Sequence, residues 1–456
     1  MRRIIEQTIE EWAAQGGTNP LLIRGARRVG KTHVAEEVGS RLAGSSFVKL
    51  DFQTDLELIA PLFDVPTNDT EAIIARIADY KRVPLAKENS ILLFDEVQLC
   101  ERALNSLRFF AGSGWRICAT GSQLGVATRK RTLPFPSGVR QVTMHPMTFE
   151  EFLWALGEDQ MASAIRTHAE SLEPYVAHEQ ALRYWRLYQV IGGMPAAVAA
   201  YVESGSVDEA RVQQREIDQT YTADMSDPEN GISGVAARKL WRSIPSQLLR
   251  SSTKKFKYSE VERGGRRAKL LEPLDWLEGA GVLSVNNLTT CTEPPLVAYD
   301  DEEGSFFKVY LADTGLMFYR LAVNPRIWLE AEAAATLPAS SDFRGALAEN
   351  SVMQALASND LQTYYWTPPS SWNTTGELDF LLQTDRMELV PVEVKSERNV
   401  RAKSLAKFME SGRSPYAYVV SANDFSLSQT KDGQELRHLP LYAAHCIGEG
   451  CVKTTF

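Results

Sequence analysis

"PLLIRGARRVGKTHVAEEV", residues 20 to 38, decides how the first part of the chain folds. Leu21, Leu22 and Ile23 form a short apolar strand, Gly25-x-x-x-x-Gly30-Lys31-Thr32 follows, and the next residues continue as a helix. Strand, glycine-rich loop, lysine, threonine and helix in that order make a complete phosphate loop. Gly25 and Gly30 let the backbone come close to an anion, and the loop N–H groups and helix start face it. Lys31 is placed to reach the β and γ phosphates of ATP, and Thr32 to hold Mg2+. A chance glycine-rich turn would not supply all of these together.

Further along, "SILLFDEVQ" is an apolar run that ends in Asp95-Glu96, the pattern of a buried parallel strand delivering carboxylates into a crevice. Asp95 is expected to hold Mg2+ directly or through water, and Glu96 to polarise an attacking water. "SFVKLDF", with Asp51, and "WRICATGS" add two strands to the same sheet, and Ser122 at the end of the second is placed to sense the γ phosphate. Each polar residue alone is more often a strand-end cap. Strands alternating with helices favour the nucleotide-binding sheet.

The chain has 456 residues, too many for one hydrophobic core, and about two to four domains are expected. With 44% hydrophobic and 23% charged residues it reads as a folded protein. No apolar run approaches the roughly eighteen residues of a membrane span, and "MRRIIEQTIEEWAAQ" reads as an amphipathic helix rather than a signal peptide, so a cytoplasmic protein without a membrane partner is expected. Cys100, Cys118, Cys291, Cys446 and Cys451 are odd in number and scattered, which suits reduced thiols. Cys446 and Cys451 with His438 and His445 match no zinc spacing. The net charge of -9 means that any contact with nucleic acid must come from a local patch.

The stretches "IRGARRVGKT", "FVKLDFQ", "LLFDEVQ", "ATGSQLG", "MHPMTFEEFL", "GGMPAAV", "KVYLADTGL", "GALAENSVMQAL" and "ELDFLL…PVEVKS" occur in this order along nearly the whole chain. Together they resemble a group of AAA-family ATPases with a C-terminal region called domain of unknown function 4143. The group joins Gly and Arg before its Pro-x-x-x-x-Glu-Phe segment, whereas here Val139 separates Gly138 from Arg140. Arg140, Arg129 and Arg131 are the alternatives for an arginine that stabilises the departing phosphate, against a solvated loop for all three. The resemblance is compatible with oligomers.

Residues 1–150 are therefore expected as the ATPase core and 151–230 as its helical lid. Gly192, Gly193 and Pro195 mark a turn and receive no chemistry. Residues 231–295 show helix, short helix, longer helix and strand, the order of a winged helix-turn-helix. Arg250, Lys254, Lys255, Lys257, Arg263, Arg266, Arg267 and Lys269 face only Glu260 and Glu262 in that stretch, a local net of +6 (8 − 2). DNA backbone contact and an ordinary solvated face weigh about equally.

Residues 296–456 are expected as a separate unit. Helix "GALAENSVMQALAS", strands "LQTYYW", "ELDFLLQ" and "MELVPVEVK", helix "VRAKSLAKFMES" and strand "PYAYVVS" follow the core order of the restriction-endonuclease-like fold, which the resemblance also implies. Alternation puts Val390, Val392 and Val394 on one face of their strand and Glu393 and Lys395 on the other. One register of the neighbouring strand brings Asp379 beside Glu393. Two carboxylates there can hold Mg2+, and the ammonium can orient water. Glu349 falls on the inward side of its helix and needs a partner, a metal or Lys395. Tyr365, Trp366 and Trp372 are candidates for base stacking, with core packing the commoner fate.

The fold class expected is α/β: a P-loop sheet with helical lid, a winged-helix-like middle and a restriction-endonuclease-like C-terminal domain. The function expected is Mg2+-dependent ATP hydrolysis coupled to a nuclease-like domain that binds or cuts DNA. The alternative is a nucleotide-dependent switch whose C-terminal domain is inactive and mediates protein or nucleic-acid interaction. Asp95-Glu96 disfavours a small-molecule kinase.

Overall fold

In the computed structural model the phosphate-loop strand β1 (Leu21–Arg24) lies inside a parallel sheet with β2 (Phe47–Asp51), β3 (Ile91–Asp95), β4 (Arg116–Gly121) and β5 (Arg140–Thr143). The structure describes all residues except 17, 123–136, 251–253, 300–305, 331–340, 370–375, 399–402, 411–413 and 455–456, together with the side chain of residue 229. Strand order is β2-β3-β4-β1-β5, so the strand ending in Asp95 is separated from β1 by β4. Every pair in this sheet is parallel. β3 is buried along its whole length, as expected of an apolar run covered on both faces. On one face Phe52, Phe63, Phe94 and Phe110 pack as tilted and edge-on rings with centroids 5.5 to 6.2 Å apart. Helix α1 (Ile5–Ala14) forms at the amphipathic N-terminal stretch and buries Ile9, Trp12 and Ala13, and α2 (Lys31–Ala43) follows the loop.

The described chain forms two compact units, Met1–His145 with Gly279–Gly281, and Pro146–Glu278 with the residues from Val282 onward. The second unit opens with α3 (Phe149–Ala155). Its start is fixed by a reciprocal cap in which Thr148 Oγ1 accepts from Glu151 N (3.2 Å) and Glu151 accepts from Thr148 N (2.8 Å). Helices α4 (His178–Ile191), α5 (Gly234–Arg250) and α6 (Arg267–Gly279) lead to β6 (Leu283–Thr289) and β7 (Phe307–Leu311). After α7 (Thr314–Arg320) and α8 (Ser341–Ser358) come β8 (Tyr364–Trp366), β9 (Leu378–Gln383), β10 (Leu389–Val394), α9 (Lys403–Met409), β11 (Tyr416–Ser421), β12 (Ser426–Gln429) and β13 (Glu435–Pro440). The helix and strand order read from 345 onward is present. The eight-stranded sheet runs β12-β13-β11-β10-β9-β8-β6-β7 and is mixed. Strand β6, from the stretch read as the middle domain, pairs with β7 antiparallel and with β8 parallel, and so joins the same sheet as residues 364–440.

Three of the quoted motifs meet at one junction in this unit. Gly193 N donates to buried Asp313 (2.6 Å), Leu316 N donates to the other carboxylate oxygen (2.8 Å), and Met147 N donates to Gly193 O (2.7 Å). Gly192 has φ +78°, and a Cβ there would lie 2.3 Å from Asp313 Oδ1. The glycines serve close approach, with no chemistry of their own. Gly192→Ala should destabilise by on the order of 3 kcal/mol. Gly205→Ala, also at positive φ but with nothing within 4 Å, should cost about 1 kcal/mol. Urea unfolding midpoints of the two variants check the difference.

Candidate active sites

Backbone geometry prepares the phosphate loop. Gly25 has φ +145°, and a Cβ there would come within 2.1 Å of Met144 O; Gly30, at φ +97°, precedes the first turn of α2. Only glycine fits the first position, because β5 leads directly across it, with Met144 N donating to Arg24 O (2.7 Å). Lys31 is buried and donates to the carbonyls of Gly25 (3.0 Å) and Ala26 (2.8 Å). Burial pulls its ammonium down to about 8 against the opposing pull of Glu96 and Asp95. Thr32 Oγ1 donates to Asp95 Oδ1 (2.7 Å), so the hydroxyl and carboxylate expected to share an ion do meet.

Glu96 sits in the left-handed region at φ +53°, a strained conformation for a residue with a side chain. Its carboxylate accepts from Ser122 Oγ (2.7 Å), Ser122 N (3.2 Å) and Gln98 Nε2 (2.5 Å). Thr120, not singled out from sequence, accepts from Glu96 N (3.1 Å) and donates to Asp95. Lys49, also missed, lies 3.5 Å from Asp95 Oδ2. Its signal was present: alternation along "FVKLD" sets Lys49 and Asp51 on one face of β2. Arg140 is paired in register with Leu21, at the far end of β1 from the loop. That placement removes it from the phosphates. Arg129 and Arg131 lie outside the described residues.

At the C-terminal sheet, β9 and β10 are antiparallel with Val392 opposite Phe380, and continuing that register sets Asp379 opposite Glu393. Asp379 Oδ2 accepts from Val394 N (2.8 Å), and Lys395 Nζ donates to Glu393 Oε1 (2.5 Å). Glu393 is only 4% exposed, which excludes a solvent-facing Glu-x-Lys. Its Oε2 is buried and has no hydrogen-bond partner among the described residues. Burial, and then Asp379, pushes Glu393 up to about 8; burial, and then Glu349, raises Asp379. Asp379, Glu393 and Lys395 are thus gathered.

Glu349 is engaged elsewhere. Its buried carboxylate accepts from Lys254 Nζ, Tyr310 Oη and Lys308 Nζ (3.0 Å), not from Lys395. Burial pushes it up, and Lys254 and Lys308 overcome this to hold it at about 2. Among the described residues no three His, Cys, Asp or Glu side chains form a metal-holding group. Lys308, 1% exposed, also binds Glu377 (2.8 Å), with Lys255 on the other oxygen of Glu377 (3.8 Å). Lys308, Tyr310 and Glu377 were missed, although "FKVYL" carries Lys308 and Tyr310 on one face of an otherwise apolar strand, and "ELD" sets Glu377 beside Asp379 by alternation. Tyr365 and Trp366 are core residues, and Trp372 lies outside the described residues.

The basic stretch divides. Lys254 and Lys255 turn inward, whereas Arg250, Lys257, Arg263, Arg266, Arg267 and Lys269 are exposed, Lys269 pairing with Glu262 (2.5 Å). The described cysteines are free.

An AAA domain family matches residues 17–153, a domain of unknown function 8612 matches 182–326, and domain of unknown function 4143 matches 344–442. Residues 17–153 are thus similar to an AAA domain and residues 344–442 to domain of unknown function 4143. The AAA domain is of the ATPase type and brings nucleotide binding with it. No curated protein matches the chain. Similar solved structures include PCH-2 of C. elegans (11% identity, 46% of this chain, 67% of that one, TM-score 0.25) and Cdc6p from Pyrobaculum aerophilum (12%, 63%, 89%, 0.24). Among the described residues no helix is long and apolar enough to cross a membrane.

The raised carboxyl at position 393 makes the stability of the fold depend on pH. A group held protonated in the fold contributes stability below its usual carboxylate range and loses it as pH rises through about 8. The stability of wild type relative to Glu393→Gln should therefore decline between pH 5 and pH 9 in the presence of a chelator. Parallel urea-midpoint curves for the two proteins would count against a buried Asp379–Glu393 pair.

Proposed function

We propose that this AAA-domain protein is a Mg2+-dependent ATPase whose turnover governs a C-terminal restriction-endonuclease-like site that binds and cuts DNA. In this reading residues 151–230 act as the lid and 231–295 as a winged-helix-like module, with ATP binding and hydrolysis shifting these elements as rigid bodies. Glu393 Oε2, buried beside Asp379 and Lys395 without a hydrogen-bond partner among the described residues, carries the nuclease half. Two carboxylates plus substrate phosphates suffice to hold Mg2+.

Both sites fit the ion: Thr32 with Asp95 at the first, Asp379 with Glu393 at the second. Bound Mg2+ supplies concentrated positive charge next to phosphate oxygens. At the first site Lys31 exchanges the loop carbonyls for phosphate oxygens, Glu96 takes a proton from the attacking water, and Ser122 ties that base to the γ phosphate. At the second, Lys395 orients water beside the scissile phosphate. The exposed Arg250, Lys257, Arg263, Arg266, Arg267 and Lys269 give DNA its backbone contacts.

A second reading, an ATP-dependent switch whose C-terminal domain is inactive and serves protein or nucleic-acid interaction, is favoured by one observation: Glu349 is already neutralised by Lys254 and Lys308.

Lys31→Ala should weaken ATP binding by roughly 10- to 150-fold in a fluorescent-nucleotide titration. Glu96→Gln should bind ATP normally while its hydrolysis rate falls by about 100- to 10,000-fold. With Mn2+ or Mg2+, wild type should nick or cut plasmid DNA, and Glu393→Gln should not. If wild type leaves plasmid and linear DNA intact with and without ATP while Lys31→Ala loses nucleotide, the switch replaces the nuclease.

A further inference from the structure

Four acidic side chains at the C-terminal site gather with four lysines of the same chain. Glu349, Glu377, Asp379 and Glu393 stand among Lys254, Lys255, Lys308 and Lys395. The four lysines are not equivalent. Lys308 is fixed on β7 and fully buried, and Lys395 continues β10 with its N–H donating to Val420 O (2.8 Å). Lys308 cannot leave without opening the sheet, and Lys395, whose side chain keeps 32% of its surface in solvent, pairs with Glu393 rather than with Glu349. Lys254 and Lys255 belong to no strand or helix.

How Lys254 gets in is visible in its surroundings. Its backbone is left-handed at φ +52°, an unusual conformation for lysine, which turns the side chain toward α8. Two residues on, Phe256 fastens the segment to the sheet edge: its N–H donates to Phe307 O (2.9 Å), and the two rings stack with centroids 5.2 Å apart and planes at 19°. The ammonium passes over Gly345, one turn before Glu349, lying 3.7 Å from where a Cβ would stand. A larger residue at 345 would fill that path. The side chain of Lys254 keeps 19% of its surface in solvent, so its route out is open.

We propose that Lys254 is a tethered counter-cation of the C-terminal carboxylate cluster, holding the site closed to a divalent metal ion until it withdraws. The proposal rests on the reading of Asp379 and Glu393 as a metal site. A divalent ion arriving beside those carboxylates meets an extra positive charge at Glu349, and Lys254 is the one ammonium on Glu349 that can leave. Its departure frees one oxygen of Glu349, while Lys308 and Tyr310 keep the other satisfied. Loading of the metal and release of the 254–256 segment are then two faces of one equilibrium.

The test is Mn2+ binding to the full chain by calorimetry, without nucleotide, in a Thr32→Ala background that silences the N-terminal site. Lys254→Gln should bind Mn2+ about tenfold or more tightly than the parent, as removal of a like charge near a bound cation requires. Gly345→Leu, which blocks the path of the ammonium without touching a carboxylate, should give the same gain, and Lys254→Arg should keep the parent's weak binding. If Lys254→Gln and Gly345→Leu both bind as the parent does while Glu393→Gln abolishes binding, the lysine is no latch and the metal site stands. If no variant takes up Mn2+, the metal reading itself fails and the latch with it.

Discussion

Helix α8 buries Glu349, Asn350 and Gln354 almost completely, and hiding three polar side chains dictates what must surround them. Glu349 draws Lys308 and Tyr310 from β7 and Lys254 from beyond α5. Asn350 clamps the end of β7, accepting from Leu311 N (2.9 Å) and donating to Leu311 O (3.1 Å). Gln354 accepts from Thr314 N and Oγ1 (2.8 and 2.7 Å) and donates to Tyr188 Oη (2.9 Å), which in turn donates to Met147 O (2.5 Å). A continuous polar network therefore ties the first residues of the second unit to its sheet. Removing one member of such a set strands the others; breaking a buried ion pair costs about 3–5 kcal/mol.

The two carboxylate sites use different means to the same end. At the N-terminal site the groups are held by backbone: a left-handed Glu96, a glycine forced by Met144 O, and hydroxyls of Thr32, Thr120 and Ser122 satisfying the oxygens. At the C-terminal site they are held by strand register and by lysines, and one oxygen of Glu393 remains unsatisfied among the described residues. Hydroxyls supply the partners of the first set of carboxylates. Burial and mutual repulsion drive the second set toward protonation.

What could be read from the chain follows from how local the signal is. The phosphate loop needs only a dozen consecutive residues, and Thr32, Asp95 and Ser122 follow from the ends of strands whose apolar runs are unmistakable. The pairing of Asp379 with Glu393 was readable because period-two alternation leaves few registers. Lys308, Lys254 and Glu377 were not, since their ionic partners lie between 41 residues (Lys308 and Glu349) and 122 residues (Lys255 and Glu377) away, and nothing local says that a lysine will point inward. The same limit applies to β6: its alternation announces a strand, but only long-range pairing selects the sheet. For Arg140, whose spacing from Gly138 already departs from the group's, only register places the side chain, opposite Leu21 at the far end of β1 from the loop.

Strand β6 carries a practical consequence for dissecting this protein. A fragment cut at the Pro-rich stretch around Pro294 and Pro295, which looks like a natural linker, would strip β8 of its neighbour and leave Tyr364, Tyr365 and Trp366 as an open, aromatic sheet border. Such a piece would invite self-association through that border. Soluble expression of the C-terminal half should begin upstream of Leu283, with the helices that feed β6 retained.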